Sequence, residues 1–279
     1  MTGHGPFATV TLALGSMALI TGFATAVARH SFSTRLGFLQ RSLEQGSKAL
    51  TPREDLPLEV LALARRLGVF RSEGGRRLVR LTQIGKMWMK PGSKPLAFKA
   101  DQTIAAAQIG FLWRAWFVVA GMSMLVVDYT VGGKAGLEGR LLGALPLVRM
   151  AGTDTLFRGE AMRYLAELMW NPDALLLNRQ LDWRVLNTYT LAVATGQGTR
   201  RCEVRLILDE SGDLVGMEAD DRPRQNGRMV TNSPWFGRAS DYRMIGGRRI
   251  PTEAEVGWLL DGVEFIYWRG KVTSWSIEV

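Results

Sequence analysis

Over residues 7–28 the chain reads FATVTLALGSMALITGFATAVA, 22 residues without a charged side chain. At about 1.5 Å per residue, a helix of that length crosses a hydrocarbon core of about 30 Å. The pattern predicts an N-terminal transmembrane anchor over residues 1–28. A cleaved signal peptide competes, because Ala26-Val27-Ala28 has the small-x-small form of a cleavage site, yet no Lys or Arg precedes the apolar run. A helix buried in a soluble domain is the third reading. Residues 29–55 then turn polar and basic, with a Thr-Pro pair near their end, and read as a juxtamembrane linker with some helix.

A single antiparallel half-barrel domain is expected over residues 56–279. Leu58, Leu61, Ala62 and Arg65 follow Pro57 at helical spacing, and Gly68 supplies a stop. From Arg76 the runs RRLVRLTQIGKMWM, PLAFKADQTIAAA, FLWRAWFVVAG, MLVVDYTVG and GLEGRLLGALPLV have strand character and are separated by Gly, Pro and Asp turns. Alternation is clear where Asp128 and Thr130 interleave with Val127, Tyr129 and Val131. A second group comprises LDWRVLNTYTLAVAT, CEVRLILD, LVGMEADDR, GVEFIYWRG and VTSWSIEV. Residues 209–213 join CEVRLILD to LVGMEADDR as a hairpin, a better reading than a calcium loop because Leu214 stands where that loop needs glycine. Between the groups one helix is predicted over 153–168, ending before Asn171-Pro172, and a short one over 173–178. A further helix is expected over 251–260, in PTEAEVGWLL. The fold class is α+β: about ten antiparallel strands in one sheet with two to four helices.

The segments GEAMRYLAELMWNPDALL, LDWRVLNTYTLAVAT and NSPWFGRASDYRMIGGRRIPTEAEVGWLL resemble a family of uncharacterised bacterial proteins, often membrane-anchored, over about residues 55–279. That resemblance implies a bacterial, membrane-anchored protein and transfers no activity; with the uncharged run over residues 7–28, the expected location is the bacterial inner membrane, crossed once. More loosely, the layout is similar to the unclosed barrels of bacterial lipoprotein carriers, which hold acyl chains in an apolar concavity. The comparison implies a large curved sheet with a ligand-binding hollow.

Charge refines this picture. Residues 29–100 hold 15 Lys and Arg against 5 Asp and Glu, whereas residues 101–279 hold 20 against 21. The basicity next to the apolar segment leans the domain to the cytoplasmic side and makes an anionic membrane surface an expected partner. The balance of the remainder argues against nucleic acid. His4 and His30 are the only histidines and both flank the apolar segment, so a histidine-based triad or a His/Cys zinc site cannot be assembled in the domain. No phosphate-loop, nucleophile-elbow or C-x-x-C motif occurs, and no metal or cofactor is expected. The lone Cys202 cannot form an internal disulfide.

Two groups of residues carry candidate chemistry. Glu160, Arg163, Tyr164 and Glu167 recur at spacings of three and four on one helix, where Arg163 can reach both carboxylates. They read as a half-buried brace or, alternatively, as an enzyme centre built on Glu160, Arg163 and Asp241. The aromatic residues Trp113, Trp116, Phe117, Tyr129, Tyr164, Trp170, Trp183 and Trp268 are the candidate ligand-binding set, because FLWRAWFVV is apolar on both faces and can line an interior. The leading expectation is a membrane-anchored protein that binds a lipid or other apolar ligand in a curved sheet. A carboxylate-arginine enzyme is the alternative, and an assembly protein recruiting a partner at its sheet edge is the third possibility.

Overall fold

The computed structural model describes residues 6–46, 51–70, 77–227 and 229–278, with side chains from residue 22 onward. The first helix, α1 (Pro6–Gly46), runs for 41 residues. The basic stretch expected as a linker is thus helical to Gly46, and Phe32, Leu36, Leu39 and Leu43 form the stripe by which it packs on the sheet. Most of the expected transmembrane segment, residues 7–21, lies outside the described side chains. Among the described residues no helix is long and apolar enough to cross a membrane.

After α2 (Leu58–Arg66) come six strands, β1 (Leu78–Met87), β2 (Leu96–Ala105), β3 (Phe111–Val119), β4 (Met122–Val131), β5 (Lys134–Leu141) and β6 (Leu145–Ala151). The helices α3 (Asp154–Ala166) and α4 (Ala174–Leu177) follow, joined by a 3-10 turn over Glu167–Met169. Seven more strands complete the chain: β7 (Asp182–Asn187), β8 (Thr190–Thr195), β9 (Cys202–Leu208), β10 (Leu214–Asn226), β11 (Met229–Ile245), β12 (Arg248–Leu260) and β13 (Val263–Glu278). They form one 13-stranded antiparallel sheet in the order β6-β5-β4-β3-β2-β1-β13-β12-β11-β10-β9-β8-β7. Six strands meander out to one edge, the α3–α4 connection carries the chain to the other edge, and seven strands return until β13 pairs with β1. The edges β6 and β7 are not paired with each other, so the sheet is an unclosed barrel.

The strand number exceeds the expected ten for identifiable reasons. GLEGRLLGALPLV contains a turn at Leu142-Gly143, with Leu142 at φ +53° and Gly143 at +69°, and LDWRVLNTYTLAVAT turns between β7 and β8. A strand that was not expected, β11, occupies residues 229–245, and the two last runs are instead one long strand, β13. Residues 251–260, expected as a helix, are strand β12: its Glu253 is exposed while Thr252 and Ala254 are buried, and β11 and β13 supply hydrogen-bonding partners on both sides. Two long neighbouring strands override the helix propensity of Glu, Ala and Leu.

Both faces of the sheet are covered over part of their area. The main core lies in the concavity, where Val60, Leu63 and Leu67 of the α2 segment, Met162 and Leu165 of α3 and Leu175 and Leu176 of α4 pack on inward residues such as Phe111, Trp113 and Val204. On the convex face α1 covers Leu78, Leu112 and Val127. β3 is apolar on both faces, and α1 uses the convex one at Leu112, while Trp116 and Val118 farther along it are exposed. The Thr153 hydroxyl accepts from the Leu156 amide at 3.1 Å and caps α3. Gly68 stops the α2 segment at φ +82°, where a Cβ would fall 2.5 Å from the Gly247 carbonyl oxygen.

Candidate functional site

Between α3 and the concave face lies a cavity of about 270 Å³. Its apolar wall is aromatic and soft: Trp113 from β3, Trp170 after the 3-10 turn, Trp235, Trp258 and Trp268 from β11–β13, with Met87, Met169 and Met217 between them. The rings interlock. Trp170 meets Trp268 edge-on at 6.2 Å, and Trp268 stacks on Phe98 at 5.9 Å. Their polar atoms are satisfied within the wall, since Trp113 Nε1 donates to Gln83 Oε1 at 3.1 Å and Trp170 Nε1 to the Pro251 carbonyl at 2.9 Å.

One side of the cavity is charged. Arg163 Nη1 donates to Asp128 Oδ2 at 2.5 Å and Nε to Glu167 Oε1 at 2.8 Å, while Gln102 Nε2 satisfies Glu167 Oε2. The guanidinium also lies over the rings of Phe111 and Trp113, at 4.8 and 5.0 Å. Burial opposes the Arg163 charge, but Glu167 and Asp128 outweigh it and raise its pKa. Glu160, one turn earlier, is buried and does not bond Arg163. Its Oε2 and Asp128 Oδ1 both lack a donor. A proton on Glu160, donated to Asp128, accounts for both atoms, and burial together with the Asp128 charge pushes the Glu160 carboxyl well above the usual carboxylate range. The brace expected between Glu160, Arg163 and Glu167 is thus a four-membered network that takes in Asp128 from β4.

A second cation faces this network. Arg222 of β10 donates to the Gly159 carbonyl and to the Tyr267 hydroxyl, which also accepts from Trp235 Nε1. It stands in the concavity because β10 is bulged. Ala219 pairs with Trp235 but Arg222 pairs with Ser233, so one extra residue reverses the alternation between them.

The sequence-derived ligand set divides accordingly. Trp113, Trp170 and Trp268 line the cavity together with Glu160 and Arg163. Trp116 is on the convex face, 40% exposed, and Phe117 is buried against Phe98. Tyr129 packs under α1. Tyr164 is fully buried, donating to the Ala105 carbonyl at 2.7 Å and accepting from Asn178 Nδ2 at 3.0 Å, so it ties α3 to α4 and the sheet. Trp183 sits on the edge strand β7, packed against the core. Asp241 lies outside the cavity, at φ +53° in β11, its carboxylate held by the Thr252 hydroxyl and Arg243. Sequence reasoning missed Asp128, Arg222, Trp235, Trp258 and Tyr267 as site residues. Among the described residues no cluster of His, Cys, Asp or Glu has the makings of a metal site.

Residues 52–270 match a family of unknown function, DUF6544. The chain belongs to DUF6544. All the cavity-lining residues named above fall within the DUF6544 segment. No curated protein matches the chain. Among solved structures, it is similar to a LolA superfamily protein from Nitrosomonas europaea, at 11% identity and a TM-score of 0.43, over 78% of this chain and 91% of that one. A DUF1329 family protein from Desulfovibrio piger is similar at 10% identity and a TM-score of 0.43, over 79% and 91%.

Proposed function

We propose that this protein binds one small apolar or amphiphilic molecule in the concavity of its sheet, and that it does so tethered to a membrane by the N-terminal part of α1. The observation that carries the binding role is the cavity itself: a partly open space of about 270 Å³ walled by five tryptophans, close to the lower end of ligand-site volumes. A well-packed domain leaves few voids larger than a water molecule, and filling this one with side chains would have been the more stable arrangement. Cavities walled by Trp and Met adapt to apolar ligands at low cost.

The tether rests on the uncharged run over residues 7–28 and on its continuation, as one helix, into the stripe that packs on the convex face. The Arg-rich stretch that follows favours the cytoplasmic side by the positive-inside rule. Much of the regional basicity is engaged within the fold. Arg35 pairs with Glu138, Arg66 with Asp213, and Arg80 with Glu44 and Glu278, which leaves Lys90 and Lys94 of the β1–β2 turn better disposed toward anionic headgroups.

Catalysis by Glu160 is the second reading, favoured by a carboxyl on the cavity wall whose pKa burial and the Asp128 charge raise. Of its expected partners, Asp241 is elsewhere and Arg163 is committed to Asp128 and Glu167.

Titration of the full-length protein with decanol, read by tryptophan emission, tests the binding role. A saturable change that is lost in Leu137→Trp, which extends a larger side chain from the cavity wall, is the expected outcome. No change in the wild-type protein would refute the role.

A further inference from the structure

Three arginines and three acids line the cavity, but among the described residues only Arg163 is ion-paired there, and Glu160 forms no salt bridge with either of the other two. Arg163 is matched by Asp128 and Glu167. Arg222 is not matched: it is 9% exposed, and its hydrogen bonds go to uncharged oxygens, the Gly159 carbonyl at 3.3 Å and the Tyr267 hydroxyl at 3.1 Å. Two residues on, Arg224 lines the same cavity, and its guanidinium forms no hydrogen bond or ion pair among the described residues. Both guanidinium groups lean on one ring, Trp258, at 5.6 and 5.8 Å, and Arg222 also lies 4.3 Å over Trp235.

Two like charges on one strand face repel each other, and desolvating an arginine without a counter-charge is costly. Glu160 on the same wall interacts with Arg222 electrostatically but forms no ion pair with it, and the exposed acids nearby are engaged elsewhere. Asp220 is taken by Arg205 and Asp221 by Arg158. Cation–π contact lowers the cost but leaves both the charge and its bidentate geometry available. The bulge between Ala219 and Arg222 is the device that creates the situation, because without it Asp221 would take the inward position that Arg222 holds.

We propose that the ligand of this cavity is an anionic single-chain amphiphile whose oxyanion head pairs with Arg222 and Arg224 while its apolar chain lies among the tryptophans. This rests on the concavity being a binding site and adds the charge and size of what it binds. Size follows from volume: a cavity of about 150 Å³ holds benzene, so one of about 270 Å³ takes in about ten heavy atoms, the length of a single medium chain. Carboxylate and phosphate heads both suit paired guanidinium groups, and decanoate serves as the probe for the shared chemistry.

Isothermal titration of the full-length protein in a mild detergent, below the micelle-forming concentration of each probe, compares decanoate with decanol. Decanoate is expected to bind on the order of 10- to 100-fold more tightly, and most of that preference should disappear in Arg222→Gln and fall in Arg224→Gln. The second variant keeps the test decisive if the first does not fold, because the Arg224 side chain makes no hydrogen bond among the described residues. Equal affinity for decanoate and decanol in the wild-type protein would overturn the anionic-head proposal and leave the apolar binding role standing. A preference for decanoate that survives both substitutions would overturn it as well. Binding of neither probe would overturn the binding role and this proposal together.

Discussion

Replacing Arg163 with alanine should be among the most destabilising single changes on the cavity wall. The guanidinium bridges Asp128 and Glu167 at 2.5 and 2.8 Å, and both acids are only 9% exposed at the side chain. The substitution removes the cation, the two charge-assisted hydrogen bonds and the stacking on Phe111 and Trp113, and leaves two acids facing a third, Glu160. Breaking a buried pair from one side costs about 3 to 5 kcal/mol, whereas a solvated pair costs under about 1 kcal/mol. For a chain of this size each kcal/mol moves the melting temperature by about 2 to 4 °C, so a fall of roughly 10 °C is expected. Glu160→Gln is the control. Its amide donates to Asp128 as the protonated acid does, so its melting temperature at neutral pH should equal or exceed that of the wild-type protein. Thermal unfolding followed by circular dichroism measures both. A shift below about 2 °C for Arg163→Ala, or a larger loss for Glu160→Gln, would refute the network as described.

Three further outcomes follow from individual contacts. Because the fold raises the Glu160 pKa, the stability this group supplies is complete below its ordinary value of 4.5 and declines as pH climbs through the raised value; Glu160→Gln should flatten that decline in melting temperature recorded against pH. Asp213, clamped by Arg249 and Arg66, has its pKa lowered from 3.8 to about 2, so its contribution is present above 3.8 and lost as pH falls toward 2. Asp213→Asn should cost about 2 kcal/mol at pH 7 and little near pH 2, by urea unfolding at the two pH values. Tyr164→Phe removes the donor to the Ala105 carbonyl and the acceptor for Asn178, and should lower stability by about 1 to 3 kcal/mol without changing decanoate affinity, since the hydroxyl lies outside the cavity.

Elements with local signals were legible in the sequence. α3 carries a Thr153 cap and ends ahead of Asn171-Pro172, and the turn at 209–213 has its Asx geometry written in Asp209, whose carboxylate accepts from the Ser211 and Asp213 amides. The half-barrel was legible as a succession of short antiparallel runs. β12 was not, because its residues are good helix formers and only the flanking strands decide its state. A signal for the packed part of α1 was present and unused: Phe32, Leu36, Leu39 and Leu43 are spaced four, three and four apart, the stripe of a helix lying on an apolar surface. The site was half legible. Glu160, Arg163 and Glu167 declare themselves by helical spacing, but Asp128 reaches them from a strand about thirty residues earlier, which no local pattern reveals. Arg222 was hidden by the bulge, since strict alternation from Met217 and Ala219 turns it outward.

The cavity as a binding site for a single small amphiphile is tested most directly by native mass spectrometry of the full-length protein, extracted from membranes in a mild detergent, beside its Leu137→Trp variant. The wild-type protein should carry a bound species whose mass fits one medium-length chain with an acidic head, and the variant should fly free of it. A wild-type protein without bound mass, or a variant that retains the same species, would contradict the account.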